Sequence, residues 1–434
     1  MGSPLGLWWF APVLSGGGYG SEAVALLLGL HQTRSKEIPV RATHHGDMMD
    51  YEHFSSLPHS SREALEATLR SPVPSPENAV VVCHSEPGAW HPAMYQTTRC
   101  PPAATAVAVG RTMFETDRLD PEHVRRINLM HEVWVPSSWS ADVFAASGVQ
   151  KSKIKVVPEA VDVERFDADV VKSLPKFDLE AHATQVLGPP IANGESKKFL
   201  SVFKWEARKA PEILLSAYLD EFTSTDDVAL FLRCDLYHEI DGSGTNLVAD
   251  RVKQFAREAV TRGNAKWVNK NKDIFQNAPR VFVLPWVSEQ LMPSLYHAFD
   301  AFVLPSRGEG WGRPHVEAMA VGVPIIATNW SGPTAFMSFE NSYPLAIENE
   351  LVSLPSDSHW VSHKWADPDV KHLQELMRTV YSNPKQAKAK GRIAARDIRE
   401  RFSPEAVACV VLGHVKRLST ELEARRKDET KSEL

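Results

Sequence analysis

The segment Ala301–Pro333, AFVLPSRGEGWGRPHVEAMAVGVPIIATNWSGP, constrains the fold more than any other stretch of the chain. An apolar run, Ala301 to Leu304, ends at Pro305 and Ser306 and opens into a loop holding Gly308, Gly310 and Gly312. Pro314 follows, suited to a first helical turn because the N–H it lacks would have no intrahelical acceptor there. Val316, Ala318, Met319 and Ala320 fit a helix that stops near Gly322, and Val323 to Thr328 reads as the next strand. Strand, glycine-rich turn, helix and strand make a βαβ unit, which belongs to a parallel sheet. Its helix N-terminus aims unpaired amide donors and a partial positive charge at whatever lies above the loop. A phosphate is the natural occupant.

The same segment carries two acids, Glu309 in the loop and Glu317 eight residues later near the start of the helix. Ionised carboxylates only accept hydrogen bonds, so they suit hydroxyl-rich partners such as ribose and hexose and would repel a phosphate. Amides for phosphates beside carboxylates for hydroxyls describe a nucleotide-sugar site. Both acids also favour the helix dipole, by about 0.3–1 kcal/mol each, a structural use that would by itself account for Glu317.

Glu309-Gly-Trp-Gly together with Glu317-Ala-Met-Ala-Val-Gly-Val-Pro resembles the E-x7-E signature of retaining GT-B glycosyltransferases, most closely glycosyltransferase family 4. The resemblance implies that Glu309 contacts the donor sugar, that Glu317 holds the nucleotide ribose, and that Gly310, Trp311 and Gly312 line the donor. It also implies an α/β fold of GT-B architecture: two Rossmann-like doubly wound domains facing a cleft, with a C-terminal helix returning to the N-terminal domain. It is sharpest from Lys198 to Pro333 and weaker over Trp8 to Phe166.

The rest of the chain is consistent with that expectation. At 434 residues it is too long for one core. Short strands alternate with helices from Leu7 to Pro158, implying a mostly parallel sheet covered on both faces. Residues 168–198, with Pro175, Pro189-Pro190 and Asn193-Gly194, read as a turn-rich linker or insertion. The alternation restarts at Lys198 and ends in three helices near 370–383, 385–402 and 404–424. The expected domains are an N-terminal acceptor domain over 1–185, a C-terminal donor domain over 195–400, and a C-terminal helix and tail over 404–434.

A formal net charge of −6 argues against a general nucleic-acid binder, and no apolar run reaches the roughly 18–20 residues of a transmembrane segment. Four cysteines lack C-x-x-C spacing, so no zinc site is expected; Cys83 and Cys100 pair only if the loop between them folds back. Leu5 to Leu14 reads as a first strand and not a signal peptide. The terminal Lys431-Ser432-Glu433-Leu434 is close to the K-D-E-L address of the endoplasmic reticulum lumen, provided that a leader once preceded Met1; a cytoplasmic location is the alternative.

Further candidates cluster after strands. Lys204 and Lys209 leave one strand five residues apart and can both reach a diphosphate, whose charge grows as the glycosidic bond breaks. In the resembling family a basic pair at this spacing, commonly Arg then Lys, binds the donor diphosphate. Here Lys204 and Lys209 take those places, with Arg208 as an alternative partner. Ser15-Gly16-Gly17-Gly18-Tyr19-Gly20 lets a ligand approach the backbone. It lacks the G-x-G-x-x-G pattern and downstream acid of a dinucleotide site, the obvious competitor. The resemblance sets Gly16, Gly17 and Gly18 against the donor diphosphate and Tyr19 on the acceptor side.

His84-Ser85-Glu86-Pro87 matches, displaced by about one residue, a loop whose histidine lies near the sugar C1 in the family, so His84 or Glu86 holds that place. Arg111 and Glu115 follow another strand and are expected on the acceptor side. Thr43-His44-His45-Gly46-Asp47 fits no metal spacing and reads as a surface or acceptor-side loop; Asp167-Ala168-Asp169 reads as a chance D-x-D.

The expected activity is retaining, metal-independent transfer from a UDP-, GDP- or ADP-sugar to a hydroxyl of a glycan, glycoprotein or small molecule. Front-face attack is what the resemblance implies, with Glu309, His84 and Lys209 as catalytic residues and no cofactor. A GT-B epimerase or hydrolase, a non-catalytic sugar-binding relative, and an NAD oxidoreductase are the alternatives.

Overall fold

The computed structural model describes residues 5–33, 38–190, 196–236, 244–263, 265–267 and 274–432. Met1, Asn193-Gly194 and the terminal Glu433-Leu434 lie outside these. The chain divides into two compact units, one of residues 1–162 with 400–434 and the other of residues 163–399.

In the first unit, short apolar segments become strands because each can be buried on both faces. The strands are β1 (Gly6–Ala11), β2 (Val40–His44), β3 (Ala79–His84), β4 (Val107–Arg111), β5 (Glu132–Val135) and β6 (Ile154–Val156). β3, Ala-Val-Val-Val-Cys-His, is buried at every position, as expected of a central strand in a doubly covered parallel sheet. The order is β2-β1-β3-β4-β5-β6 and every pairing is parallel. The helix Gly18–Gln32 is apolar nearly all round, and it packs against the C-terminal helix, Pro404–Ser432. Val407, Val411, Val415 and Leu418 of that helix share one core with Leu7, Trp9 and Val82, so the last helix does return to the N-terminal unit. Gly29 permits the close approach: a Cβ there would lie 2.0 Å from the Pro404 carbonyl oxygen.

The second unit holds β7 (Thr184–Leu187), β8 (Lys197–Trp205), β9 (Val228–Leu236), β10 (Arg280–Leu284), β11 (Ala301–Leu304), β12 (Ile325–Thr328) and β13 (Tyr343–Leu345). Their order is β13-β12-β11-β8-β9-β10-β7. All pairings are parallel except the edge strand β7, which runs antiparallel to β10. Two sheets of this kind, each wound with helices, make two Rossmann-like domains.

The boundary falls earlier than the sequence pattern places it. Residues 163–185, expected in the N-terminal domain, belong to the second unit. There the helix Ala168–Ser173 packs on the helix Met292–His297, and β7 extends the sheet. Four strand residues set among turn formers carry too little pattern to stand out from a linker.

Strand order decides where ligands can bind. In a doubly wound sheet the loops diverge where the winding reverses, opening a crevice at the carboxyl ends of the two strands concerned. In the first unit this point lies between β1 and β3, whose following loops are the glycine-rich turn and His84–Glu86. In the second it lies between β8 and β11, followed by Arg208-Lys209 and by the loop of Glu309.

Candidate functional site

At the second unit's switch point three charged side chains converge. After β8 the chain makes a tight turn over Ala207–Lys209, and Ala210 adopts left-handed backbone (φ 50°) before Pro211 opens the next helix. The Lys209 ammonium donates to Glu309 Oε1 at 2.5 Å, and Arg208 Nη1 donates to Oε2 at 2.9 Å. Arg208 also binds the Gly308 carbonyl (2.9 Å) and Glu206 (2.8 Å). The Glu309 amide donates to Ser331 Oγ at 2.9 Å, so the loop after β12 supports it from behind.

Glu309 is 5% exposed and Lys209 9%. Burial alone would raise the Glu309 pKa, but the charges of Lys209 and then Arg208 and His315 outweigh it and hold the carboxyl near about 2. Burial and the Arg208 charge lower the Lys209 pKa, against the pull of Glu309.

The helix Arg313–Ala320 starts directly after Gly312, whose φ of 112° suits glycine. A Cβ on Gly312 would also sit 2.8 Å from His315 Nδ1. His315 is fully buried beside Phe302, and burial lowers its pKa to about 4. Glu317 lies one turn along. Its Oε2 accepts from the Tyr296 hydroxyl at 3.0 Å, and Arg313 approaches its Oε1 at 3.7 Å. Burial raises the Glu317 pKa, Arg313 opposes this, and the nearby Glu289 adds to it. The two acids thus differ: two cations hold Glu309 in close ion pairs, whereas Glu317 accepts from the neutral Tyr296 hydroxyl and meets Arg313 at longer range.

The expected donor-side residues differ in their surroundings. Lys204 is exposed, and the cations that converge on Glu309 are the adjacent pair Arg208 and Lys209. The Trp311 side chain is 2% exposed and packs edge-on against Phe336. Gly332, in the loop after β12, lets that loop run close to Gly310: a Cβ on Gly332 would lie 2.6 Å from the Gly310 oxygen.

The first unit's switch point covers a buried polar cluster. His84 is fully buried; its Nδ1 accepts from Trp9 Nε1 at 3.1 Å, so the ring proton sits on Nε2, 3.0 Å from Glu22 Oε2. Arg111 Nε donates to Glu22 Oε1 at 2.7 Å, and the guanidinium also binds the Val157 carbonyl. Burial would raise the Glu22 pKa, but Arg111 and then His84 bring it to about 2.

His84 and Arg111 were expected at the reacting and acceptor surfaces. Both instead have their polar atoms committed inside the unit, where they brace the roots of β3 and β4. Tyr19, half-buried, hydrogen-bonds Thr112 Oγ1 at 3.0 Å and stacks edge-on against His84. Glu22 was not singled out in the sequence, although a lone acid at the head of Ala23-Val-Ala-Leu-Leu-Leu is itself a signal of a buried partner.

Gly16 and Gly18 are exposed at the turn above this cluster; Gly17 lies where a Cβ would be 3.3 Å from Asp47 Oδ2. Glu86 is exposed and Glu115 half-buried. Cys83 and Cys100 form a disulfide, so the loop between them does fold back. Asp167 caps the helix Ala168–Ser173 and pairs with Arg399. Among the described residues no group of three or more His, Cys, Asp or Glu is placed to hold a metal ion. Nor is any described helix long and apolar enough to cross a membrane.

The architecture is that of GT-B glycosyltransferases. Over 95% of its length the chain superimposes on a glycosyltransferase from Rickettsia africae (TM-score 0.59, 14% identity, 98% of that chain). It matches Anabaena Alr3699/HepE, solved in complex with UDP and glucose, over 95% of its length as well (TM-score 0.57, 14% identity, 99% of that chain). Residues 245–352 match the family model of group 1 glycosyl transferases, a span that includes Glu309 and Glu317. The D-inositol 3-phosphate glycosyltransferase of Corynebacterium urealyticum is 25% identical over 268 residues, 57% of this chain and 56% of that protein. The match therefore spans little more than half of that relative.

Proposed function

We propose that this protein is a retaining, metal-independent glycosyltransferase that moves a sugar from a nucleoside-diphosphate sugar to an acceptor hydroxyl. The observation that carries this reading is the convergence of Arg208 and Lys209 on Glu309 at the switch point, beside the helix that bears Glu317. The Anabaena protein, with UDP and glucose, and the named relative support the donor class and make a UDP-sugar the first to test, ahead of GDP- and ADP-sugars.

In this reading the diphosphate enters between Arg208, Lys209 and the amides at the head of the helix Arg313–Ala320. Glu317, braced from behind by the buried Tyr296 hydroxyl, takes the ribose hydroxyls. Glu309, held in place by the two cations, orients the sugar. The bond from C1 to the phosphate oxygen breaks, and a bond from C1 to the acceptor oxygen forms on the same face. The acceptor's proton passes to the departing phosphate oxygen. Charge gathers on that oxygen as the bond breaks, so fixed cations favour the transition state over the ground state. Two such cations supply the neutralisation that a metal ion provides elsewhere, which is the ground for proposing metal independence.

The test is product analysis with UDP-, GDP- and ADP-glucose, with and without a mixture of hydroxylated acceptors, in the presence of EDTA. Transfer with the donor's anomeric configuration kept is the expected result. An inverted product or loss of activity in EDTA would refute the mechanism, and nucleotide release that ignores acceptors would mark a hydrolase.

A further inference from the structure

The first unit displays apolar side chains where a loop rim would ordinarily be polar. Met48, Met49 and Met94 are the exposed methionines among the described residues, at 89%, 51% and 62%, and exposed Tyr51 and Tyr95 accompany them. All five lie on the segments that follow β2 and β3, Tyr51 opening the short helix Tyr51–Ser56, at the carboxyl ends of strands beside the glycine-rich turn. The two loops are tied together. The Gly46 amide donates to Thr97 Oγ1 at 3.0 Å, and His45 joins them through the Thr98 carbonyl (2.7 Å) and Ser85 Oγ (3.2 Å). The Tyr51 hydroxyl reaches Met49 Sδ at 3.3 Å, and the Cys83–Cys100 disulfide closes the base of the second loop. Flexible thioethers on a braced scaffold make an adaptable apolar surface.

Charge narrows the occupant. Exposed Asp47, Asp50, Glu52 and Glu86 stand on these same segments and outnumber the exposed cation there, Arg99. They repel phosphates, sulfates and anionic membranes, and they accept hydrogen bonds from hydroxyls. We infer that the acceptor is an uncharged amphiphile, whose hydroxylated head meets the carboxylates while an alkyl or aryl group lies on the Met48/Met49/Met94 surface. This rests on the glycosyltransferase reading and adds the acceptor's chemical class to it.

The experiment uses the full chain labelled with methyl-13C methionine, titrated with methyl, butyl, hexyl and octyl β-glucosides below their micelle-forming concentrations. The Met48, Met49 and Met94 signals are expected to shift saturably while those of buried Met319 and Met377 stay put. Apparent Kd should fall about two- to fourfold per added methylene, fourfold being the limit for full burial. Met48→Ser combined with Met94→Ser should flatten that dependence and leave the thermal shift with UDP, GDP or ADP as in the wild type.

Affinity independent of chain length would overturn the proposal. So would octyl phosphate binding as tightly as octyl glucoside, or co-flotation of the protein with phosphatidylglycerol vesicles. Chain-length dependence without a thermal shift from any nucleoside diphosphate would keep an amphiphile site and overturn its role as acceptor site. A nucleotide shift without chain-length dependence would sink this inference alone.

Discussion

Replacing Glu309 by Gln keeps the side chain's size and removes its charge, so the consequence follows from the ion pairs that hold it. A carboxyl brought from 4.5 to about 2 in the folded unit is favoured in its ionised form by about 3 kcal/mol, net of its burial cost. At pH 7 the Gln variant loses that contribution and leaves Lys209 and Arg208 facing each other. For a unit of this size each kcal/mol moves the melting midpoint by about 2–4 °C, so a fall of roughly 6–12 °C is expected.

A nucleoside diphosphate returns negative charge to the same two cations. It should therefore raise the variant's midpoint by more than the wild type's, even though sugar transfer falls about 100-fold or more. The assay is differential scanning fluorimetry of both proteins with and without UDP, GDP and ADP, followed by turnover. The depressed carboxyl stabilises the fold above pH 4.5, and its contribution is lost as pH falls toward 2, so the two proteins should converge in acid. An unliganded variant within 2 °C of wild type, or a smaller ligand shift than wild type's, would refute the reasoning.

Two further outcomes concern the first unit. Gly29→Ala drives a Cβ into the Pro404 carbonyl, and because both partners are backbone it should cost about 1–3 kcal/mol, read as a lower urea midpoint. Glu22→Leu strands the buried Arg111 and should cost about 3–5 kcal/mol, whereas Glu22→Leu with Arg111→Met should cost clearly less than the two single changes summed; additivity in that cycle would show that the pair is not coupled.

The βαβ unit around Glu309 was legible in the sequence because its determinants are local. A short apolar run, glycines in the turn, Pro314 in the first helical turn and Gly322 at the end each act within a few residues. The acid pair, the alternation of strands and helices, and the resemblance built on them point to the fold. Which cation stands beside Glu309 was not legible. That depends on a turn after β8 and on β8 and β11 being neighbours, two elements about 100 residues apart in the chain.

His84 and Arg111 illustrate the same limit. A polar residue just past a strand reads alike whether it faces ligand or core, and only the packing of Gly18–Gln32, which brings Glu22 against them, turned both inward. Local sequence determined the elements and their turn chemistry, because backbone preference and capping are short-range. Tertiary structure decided charge pairing, because a buried ion is tolerated only where partners from distant strands meet it.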